Sequence, residues 1–319
     1  MGHPDQVLDA AAQLRRDDLA RSPAYESTLA ALLFHRKTFE RADVLDVFMG
    51  SEGPRALVGR LEGEMPAHGV GSTHLFLHRR RDDPAALQWV KVRTASLLSD
   101  AKATPFVMLP ADEVALRRHL LHQGLRIQYV TQVGRVDTAL RCLPDHAQLP
   151  LPDSLRWVDM DRSHADAVAD LKVAAFSDGR FAFFGAGAGF RELARRAVAN
   201  GRPFNGRRWV LVDALGVAGL LELHHRRDDA HNAGGSAGID VVLAPRLRGR
   251  GLTWRVYRHL LLSLQQDGLA WIKGATAQPA ILRIGRQLGR VPTAMALRGG
   301  APFDESWFSA HLPELPLAR

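Results

Sequence analysis

Six residues, Arg246-Leu247-Arg248-Gly249-Arg250-Gly251, combine the features that hold a phosphate. Glycines let a backbone approach an anion without Cβ interference and adopt φ values that other residues resist. The surroundings of the turn add to this. A short apolar run, Ile239 to Ala244, precedes it and the long periodic stretch Leu252 to Gln266 follows, so the turn opens a helix whose dipole concentrates partial positive charge at its first N–H groups. The arginines add charge around the mouth. The spacing fits neither G-x-x-x-x-G-K-[ST] nor a G-x-G-x-x-G followed by an acidic residue. It reads R-x-x-G-x-G.

Other reactive side chains offer less. Cys142 is the only cysteine, which excludes an intrachain disulfide and a cysteine metal cluster, and its setting, Leu140-Arg141-Cys142-Leu143-Pro144, is a poor one for a nucleophile. His224, His225 and His231 follow no zinc-site spacing, so no metal is expected. A net charge of +8 favours acidic partners in general, whether phosphorylated small molecules, an acidic carrier protein or nucleic acid. That charge is mostly scattered. The tight run Arg79-Arg80-Arg81 is followed at once by Asp82-Asp83 and reads as a solvated strand end. Without a recognised nucleic-acid module or a clustered basic helix, nucleic acid is not an expected partner.

The elements that must position the turn fall into two groups. Hydrophobic residues make up 46% of the 319 and charged residues 24%, a balance that lets two domains of ordinary size each bury a core. Proline-rich, aperiodic sequence at 144–153 marks a linker between a unit at 1–143 and one at 154–319. The first unit reads as a helix (Gln6 to Ala20), a mixed region with strands at Val44 to Met49 and Thr73 to His78, then helix (Pro84 to Leu98), strand (Phe106 to Leu109), helix (Asp112 to Gln123) and strand (Arg126 to Arg135). The second reads strand (Leu155 to Met160), helix (His164 to Ala175), an aromatic loop, helix (Arg191 to Ala199), and three strands at Arg208 to Asp213, Val217 to His225 and Ala237 to Leu243. After the glycine turn and its helix come a strand (Ala270 to Thr276), a helix (Pro279 to Leu288) and a strand (Thr293 to Arg298). The order is β-α-α-β-β-β-α-β-α-β, an α/β (α+β) layer with a mixed central sheet flanked by helices. No apolar run has the length of a bilayer span, and the opening six residues lack a signal pattern. A cytoplasmic protein without membrane contacts is expected.

With its R-x-x-G-x-G turn between the fourth strand and third helix, that order resembles the GCN5-related N-acetyltransferase (GNAT) superfamily over about half of the chain. Within it the likeness runs to dTDP-fucosamine N-acetyltransferases. Ala174-Ala175-Phe176-Ser177-Asp178-Gly179-Arg180-Phe181 resembles their A-F-x-x-S-R-F loop, and Gly274-Ala275-Thr276-Ala277-Gln278 their A-T-Q strand end. The first unit looks like the degenerate GNAT-like domain that those enzymes place in front of the catalytic one.

The resemblance implies acetyl-CoA or a longer acyl-CoA as donor, and an amine acceptor. It assigns the coenzyme to Val242, Leu243 and Ala244 along a splayed strand, to Arg246, Arg248, Gly249, Arg250, Gly251, Leu252 and Thr253 at the turn, and to Gln278 and Leu282 beyond it. Acyl transfer to an amine also needs a base for the ammonium proton. Glu222 and Asp240 are the candidates; Glu222 alternates with His224 on one strand face and matches a glutamate of the sugar acetyltransferases. Arg180, Phe181, Phe184 and His224 would line the acceptor or acyl pocket. The tyrosine by which the family protonates the leaving thiolate aligns with Gly285. Three outcomes stay open: catalysis without a dedicated acid, a different donor geometry, or binding without catalysis. Loss of bulk at Gly285 would also make room for a longer acyl chain, which raises an acyl carrier protein as an alternative donor. The acceptor is a small-molecule, nucleotide-linked or peptide amine, and a homodimer is left open.

Overall fold

The computed structural model describes residues 4–20, 29–65, 70–176, 188–200, 205–226, 234–301 and 306. The first half contains helices α1 (Pro4–Leu19) and α2 (Leu29–Glu40), strands β1 (Val44–Gly50), β2 (Gly53–Met65) and β3 (Val70–Arg79), helix α3 (Pro84–Ser99), β4 (Thr104–Pro110), α4 (Val114–His122) and β5 (Leu125–Arg135). A short helix, α5 (Val136–Arg141), leads into the second half. There the order is β6 (Arg156–Asp159), α6 (Ala165–Phe176), α7 (Ala188–Ala199), β7 (Gly206–Asp213), β8 (Gly216–Arg226), β9 (Ser236–Leu243), α8 (Thr253–Gln266), β10 (Trp271–Thr276), α9 (Pro279–Gln287) and β11 (Val291–Gly299). This is the order expected from the sequence. The first half repeats it without the opening strand.

Helix α2, strand β2 and helix α5 were not expected. Strand β2 escapes a pattern reading because glycines interrupt its alternation; at Gly59 a Cβ would stand 3.3 Å from both Leu45 and Phe76, so packing there is tight and a side chain would have to displace its neighbours.

The eleven strands among the described residues form one sheet, in the order β1-β2-β3-β4-β11-β5-β10-β9-β8-β7-β6. The two halves exchange their last strands. β11 pairs antiparallel with β4, β5 pairs antiparallel with β10, and β5 and β11 pair with each other at the centre. The cores are mixed accordingly. Leu282, Ala277, Met295 and Leu297 pack among Leu116, Leu120 and Ile127, while Val136 and Ala139 pack with Tyr257 and Leu260. Full burial of a leucine such as Leu282 contributes about 1.5–3 kcal/mol, so each half draws stability from residues of the other. The stretch 144–153 carries the chain from one half to the next without dividing the cores.

Strand alternation in the second half sorts apolar from polar positions. Leu221 and Leu223 of β8 face α8, whereas Leu220 packs under α6 with Val168 and Leu171, so Glu222 and His224 lie on the α6 side of the sheet. Among the described residues no helix is long and apolar enough to cross a membrane.

Candidate functional site

β9 and β10 run parallel and pair only over Ser236–Gly238 against Trp271–Lys273. Beyond that point they part, although β9 stays paired with β8 as far as Leu243. The result is a wedge-shaped gap with one edge of β9, residues 239–243, facing it. From Gly238 to Leu243 the strand runs ~17 Å. At the wide end of the gap lies the glycine turn. Gly249 and Gly251 have φ of 73° and 69°, the left-handed region that disfavours L side chains. A Cβ at either position would meet nothing within 4 Å, so the requirement for glycine is one of backbone conformation and access.

Hydrogen bonding leaves this turn open to an anion. Leu247 and Arg248 donate to the carbonyls of Ala244 and Pro245, and the next backbone bond comes from Val256 to Leu252. Leu252 precedes α8 without a capping side-chain bond. The intervening N–H groups therefore meet the conditions for binding a phosphate.

On the α6 face of the sheet, cross-strand pairs Arg208↔Glu222, Glu222↔Asp240 and His224↔Gly238 bring a polar group together beside the gap. Glu222 is 3% exposed and ion-paired at both oxygens, to Lys172 Nζ at 2.7 Å and Arg208 Nε at 3.1 Å. Burial pushes the Arg208 pKa down and Glu222 offsets part of this. Next to it, His224 Nε2 lies 3.4 Å from Asp240 Oδ2, with side chains 48% and 60% exposed. Desolvation pushes the Asp240 carboxyl up, but the His224 hydrogen bond and the charges of Lys172 and His224 outweigh it and leave its pKa below the ordinary value. Glu222, His224 and Asp240 bring one ligating atom each within 4.8 Å of one another. A metal cation there would stand against Lys172 and Arg208, so the cluster is better suited to moving protons than to holding a metal. Within it, Glu222 is held between two cations and the His224–Asp240 pair is the more exposed.

On the opposite face, Gly285 opens no space. A Cβ there would stand 2.0 Å from Gln132 Oε1. Gln132 belongs to β5, the strand lent by the first half, and its amide donates to Leu282 O at 3.3 Å. The expected vacancy for a longer acyl chain is thus filled by a side chain of the other half. Beside it lies Arg290, 4% exposed, whose Nη2 donates to Gln132 O at 3.1 Å and Gly274 O at 3.2 Å. Burial lowers its pKa from the usual arginine value, and a hydrogen bond with Tyr257 works against this.

No family model and no curated protein matches the chain by sequence. Solved structures do match. A GCN5-related N-acetyltransferase from Sphaerobacter thermophilus aligns over 96% of this chain and 99% of its own, with a TM-score of 0.56 and 15% identity. A tandem GNAT protein of the clavulanic acid biosynthesis pathway aligns over 95% and 97%, with a TM-score of 0.51 and 15% identity. The chain has the GNAT fold. It also aligns, over 93% of its length and 37% of the other, with a glucosamine N-acetyltransferase region of a fungal multi-domain GH3 β-N-acetylglucosaminidase, at a TM-score of 0.58 and 16% identity.

Within this GNAT fold the residues singled out in the sequence divide. Val242, Leu243 and Ala244 lie along the gap-side strand and its exit, where Ala244 N–H is bonded to Ala218 O at 2.8 Å. Arg248 donates to Leu243 O at 3.1 Å, Arg250 is exposed, and Thr253 is half-buried at the first helical position. Arg246 is drawn away from the mouth: it grips Asp213 at 2.8 and 3.1 Å, bracing the turn against the β7–β8 hairpin. The Leu252 side chain is 3% exposed in a core with Leu247 and Leu211, so the backbone alone faces the turn. Leu282 is wholly buried in a core shared with Leu116, Leu120 and Ile127, so its side chain has no exposed surface in this structure. Gln278, at the start of α9, donates its N–H to Thr276 Oγ1 at 3.0 Å. Arg180, Phe181 and Phe184 lie outside the described residues.

Four residues around the gap were not singled out in the sequence. Lys172 left a signal, because it stands four residues after buried Val168 on the packed face of α6 and a lone charge there needs a partner. Arg208, alternating with buried Val210, left a weaker one. Gln132 and Arg290 left none, since their partners lie in elements remote in sequence.

Proposed function

We propose that the chain is an acyl-CoA-dependent N-acyltransferase whose second half carries the site. The observation that bears most weight is the parting of β9 from β10 with the glycine turn at its wide end. The gap offers an unpaired strand edge to the amides of pantetheine, and the turn offers N–H groups to the diphosphate. A thioester reaching the narrow end would lie beside His224 and Asp240, which are placed to take the proton of an attacking amine. The acceptor is a primary amine on a small or nucleotide-linked molecule; the likeness to dTDP-fucosamine N-acetyltransferases makes amino sugars and their nucleotide conjugates the first to try. The donor is acetyl-CoA or a longer acyl-CoA. The argument for a longer chain no longer has Gly285 behind it, because Gln132 occupies that volume.

The test is calorimetric titration with acetyl-CoA, followed by mass-spectrometric detection of acylated product from an amine panel, with acyl-CoAs and acyl carrier proteins as donors. Coenzyme binding that is weakened by Gly249→Val, together with transfer to one of the amines, is the expected result. Absence of coenzyme binding by the wild-type chain would rule the reading out. Tight binding with no transfer to any of a broad set of amines would favour a ligand-binding protein.

A further inference from the structure

The closed end of the gap between β9 and β10 contains a buried cation with no carboxylate partner among the described residues. Arg290 follows α9, and its side chain lies across the β5–β10 ladder where two glycines make room for it. A Cβ on Gly134 would stand 2.8 Å from Arg290 Cγ, and one on Gly274 would stand 2.7 Å from Arg290 Nη2 and 3.0 Å from Ile239 Cγ1. Gly274 is the first residue of β10 beyond its last pairing with β9, so the guanidinium sits at the apex of the gap. It is 4% exposed, bonded to two carbonyls and Tyr257, and its Nε has no acceptor. A buried guanidinium without a counter-ion is strongly disfavoured, and burial without a full set of acceptors adds to the cost. Arrival of an anion at this point would offset both costs.

Alternation on β9 fixes which side of the sheet each group occupies. Ile239 lies on the Arg290 side, and Asp240 lies on the other side with Glu222 and His224. A cation therefore stands on one face of the gap and an acid–base pair on the other. We propose that Arg290 stabilises the sulfur leaving group of the thioester, an inference that rests on the acyl-CoA reading above. The amine nitrogen bonds to the thioester carbonyl carbon, the C–S bond breaks, and its electron pair remains on sulfur as a thiolate against the Arg290 guanidinium. The ammonium proton passes to His224–Asp240 on the far face. A guanidinium does not give up its proton at working pH, so coenzyme A departs as a thiolate and no phenol or other acid is required. A cation beside a thiol lowers its pKa from the ordinary value, which makes this departure accessible near neutrality.

The experiment follows ionisation of the coenzyme A thiol by the ultraviolet absorbance of its thiolate, free and bound to wild type, Arg290→Lys and Arg290→Met, with desulfo-coenzyme A as the binding control. Bound to wild type, the thiol should ionise at least about one pH unit below the free coenzyme A thiol measured alongside it. Arg290→Lys should retain part of that shift and Arg290→Met should lose it, while desulfo-coenzyme A binds all of them alike. In turnover, an acyl donor with an aryl thiol leaving group should restore most of the activity that Arg290→Met loses with acetyl-CoA. A bound thiol that ionises with the free thiol's pKa in wild type would overturn the proposal even if neither variant folds. So would an Arg290→Met defect that the aryl thioester does not relieve, since that is the mark of a structural role. Failure of wild type to bind coenzyme A at all would instead remove the acyl-CoA reading, and the inference with it.

Discussion

Two connections in this chain run from a strand that parts from its parallel neighbour to the helix that follows, and they are finished in opposite ways. In the second half the connection is the glycine turn, with left-handed φ at Gly249 and Gly251 and no side chain capping α8. In the first half β3 also leaves β4 after Leu75 and Val107, and the connection reads Arg80-Arg81-Asp82-Asp83. There Asp83 caps α3 by accepting from Ala86 N–H at 2.9 Å, and Pro84 removes a donor from the first turn. The nearby arginines are neutralised: Arg55 on Asp83 at 2.5 Å, Arg79 on Glu113 at 3.0 Å, and Arg81 on Asp112. The open cleft beside them, about 580 Å³, is lined by both signs of charge. A phosphate would meet a carboxylate in one half where it meets N–H groups in the other. One framework thus yields a candidate site or a sealed end according to a few residues at the turn.

The largest effect expected from breaking this contrast lies at Glu222. Glu222→Gln leaves Lys172 and Arg208 without their shared counter-charge, and chemical denaturation should show a loss of about 3 kcal/mol. Asp240→Asn, at a half-open position, should lower turnover with stability nearly unchanged. Equal stability of wild type and Glu222→Gln would return the glutamate to the role of a free base.

A slightly smaller effect is expected where the halves interlock. Gly285→Tyr should destabilise by ~1–3 kcal/mol, because the buried Gln132 amide must move to admit the new side chain. Adding Gln132→Ala should recover part of the loss. A Gly285→Tyr protein as stable as wild type would show that the first half does not fill that space.

The first half should also respond to acid through buried histidines. His35, 5% exposed under α1 and β3, has a pKa lowered to about 3 by burial first and then by the charges of Arg15 and His78, and burial lowers that of His78 despite Asp18. Both folded-state values lie below the unfolded value, so the unfolded chain binds more protons as pH falls. The stability due to neutral His35 is complete above pH ~6.5 and is lost on the way down towards pH ~3, with about 2 kcal/mol gone by pH ~5. His35→Phe should flatten urea-unfolding midpoints across that window; an unchanged slope would place the acid sensitivity elsewhere.

The smallest effects compare the turns directly. Gly249→Val should weaken coenzyme A binding about tenfold through backbone strain. Asp83→Ala should lower Tm slightly by removing a helix cap and leave that affinity alone. A comparable loss of affinity in both variants, by calorimetry, would mean that both halves bind the coenzyme.

Much of this was legible beforehand where the physics is local. Element order in the second half followed from apolar period and punctuation by Gly and Pro, and the alternation of Glu222 and His224 against Leu221 and Leu223 predicted correctly which residues share a face. Strand β2 was hidden by its glycines, and helix α2 by the absence of a clear amphipathic pattern. The match to a family glutamate favoured Glu222 from sequence, whereas the structure sets Glu222 and Asp240 opposite each other across β8 and β9 and separates them by burial and by the cations that reach them.

The sequence by itself determined the glycine turn, because left-handed φ and an opening helix are properties of adjacent residues. It determined the order of elements in the second half for the same reason. Only the tertiary structure decided that the last strands change places, since β5 and β11 each carry an apolar pattern that suits either half. That exchange set Gln132 against Gly285 and left Arg290 at the apex of the gap, through contacts between elements up to 158 residues apart. Neutralisation of Glu222 was decided there too, because pairing of charges depends on distance in space, which no spacing along the chain specifies.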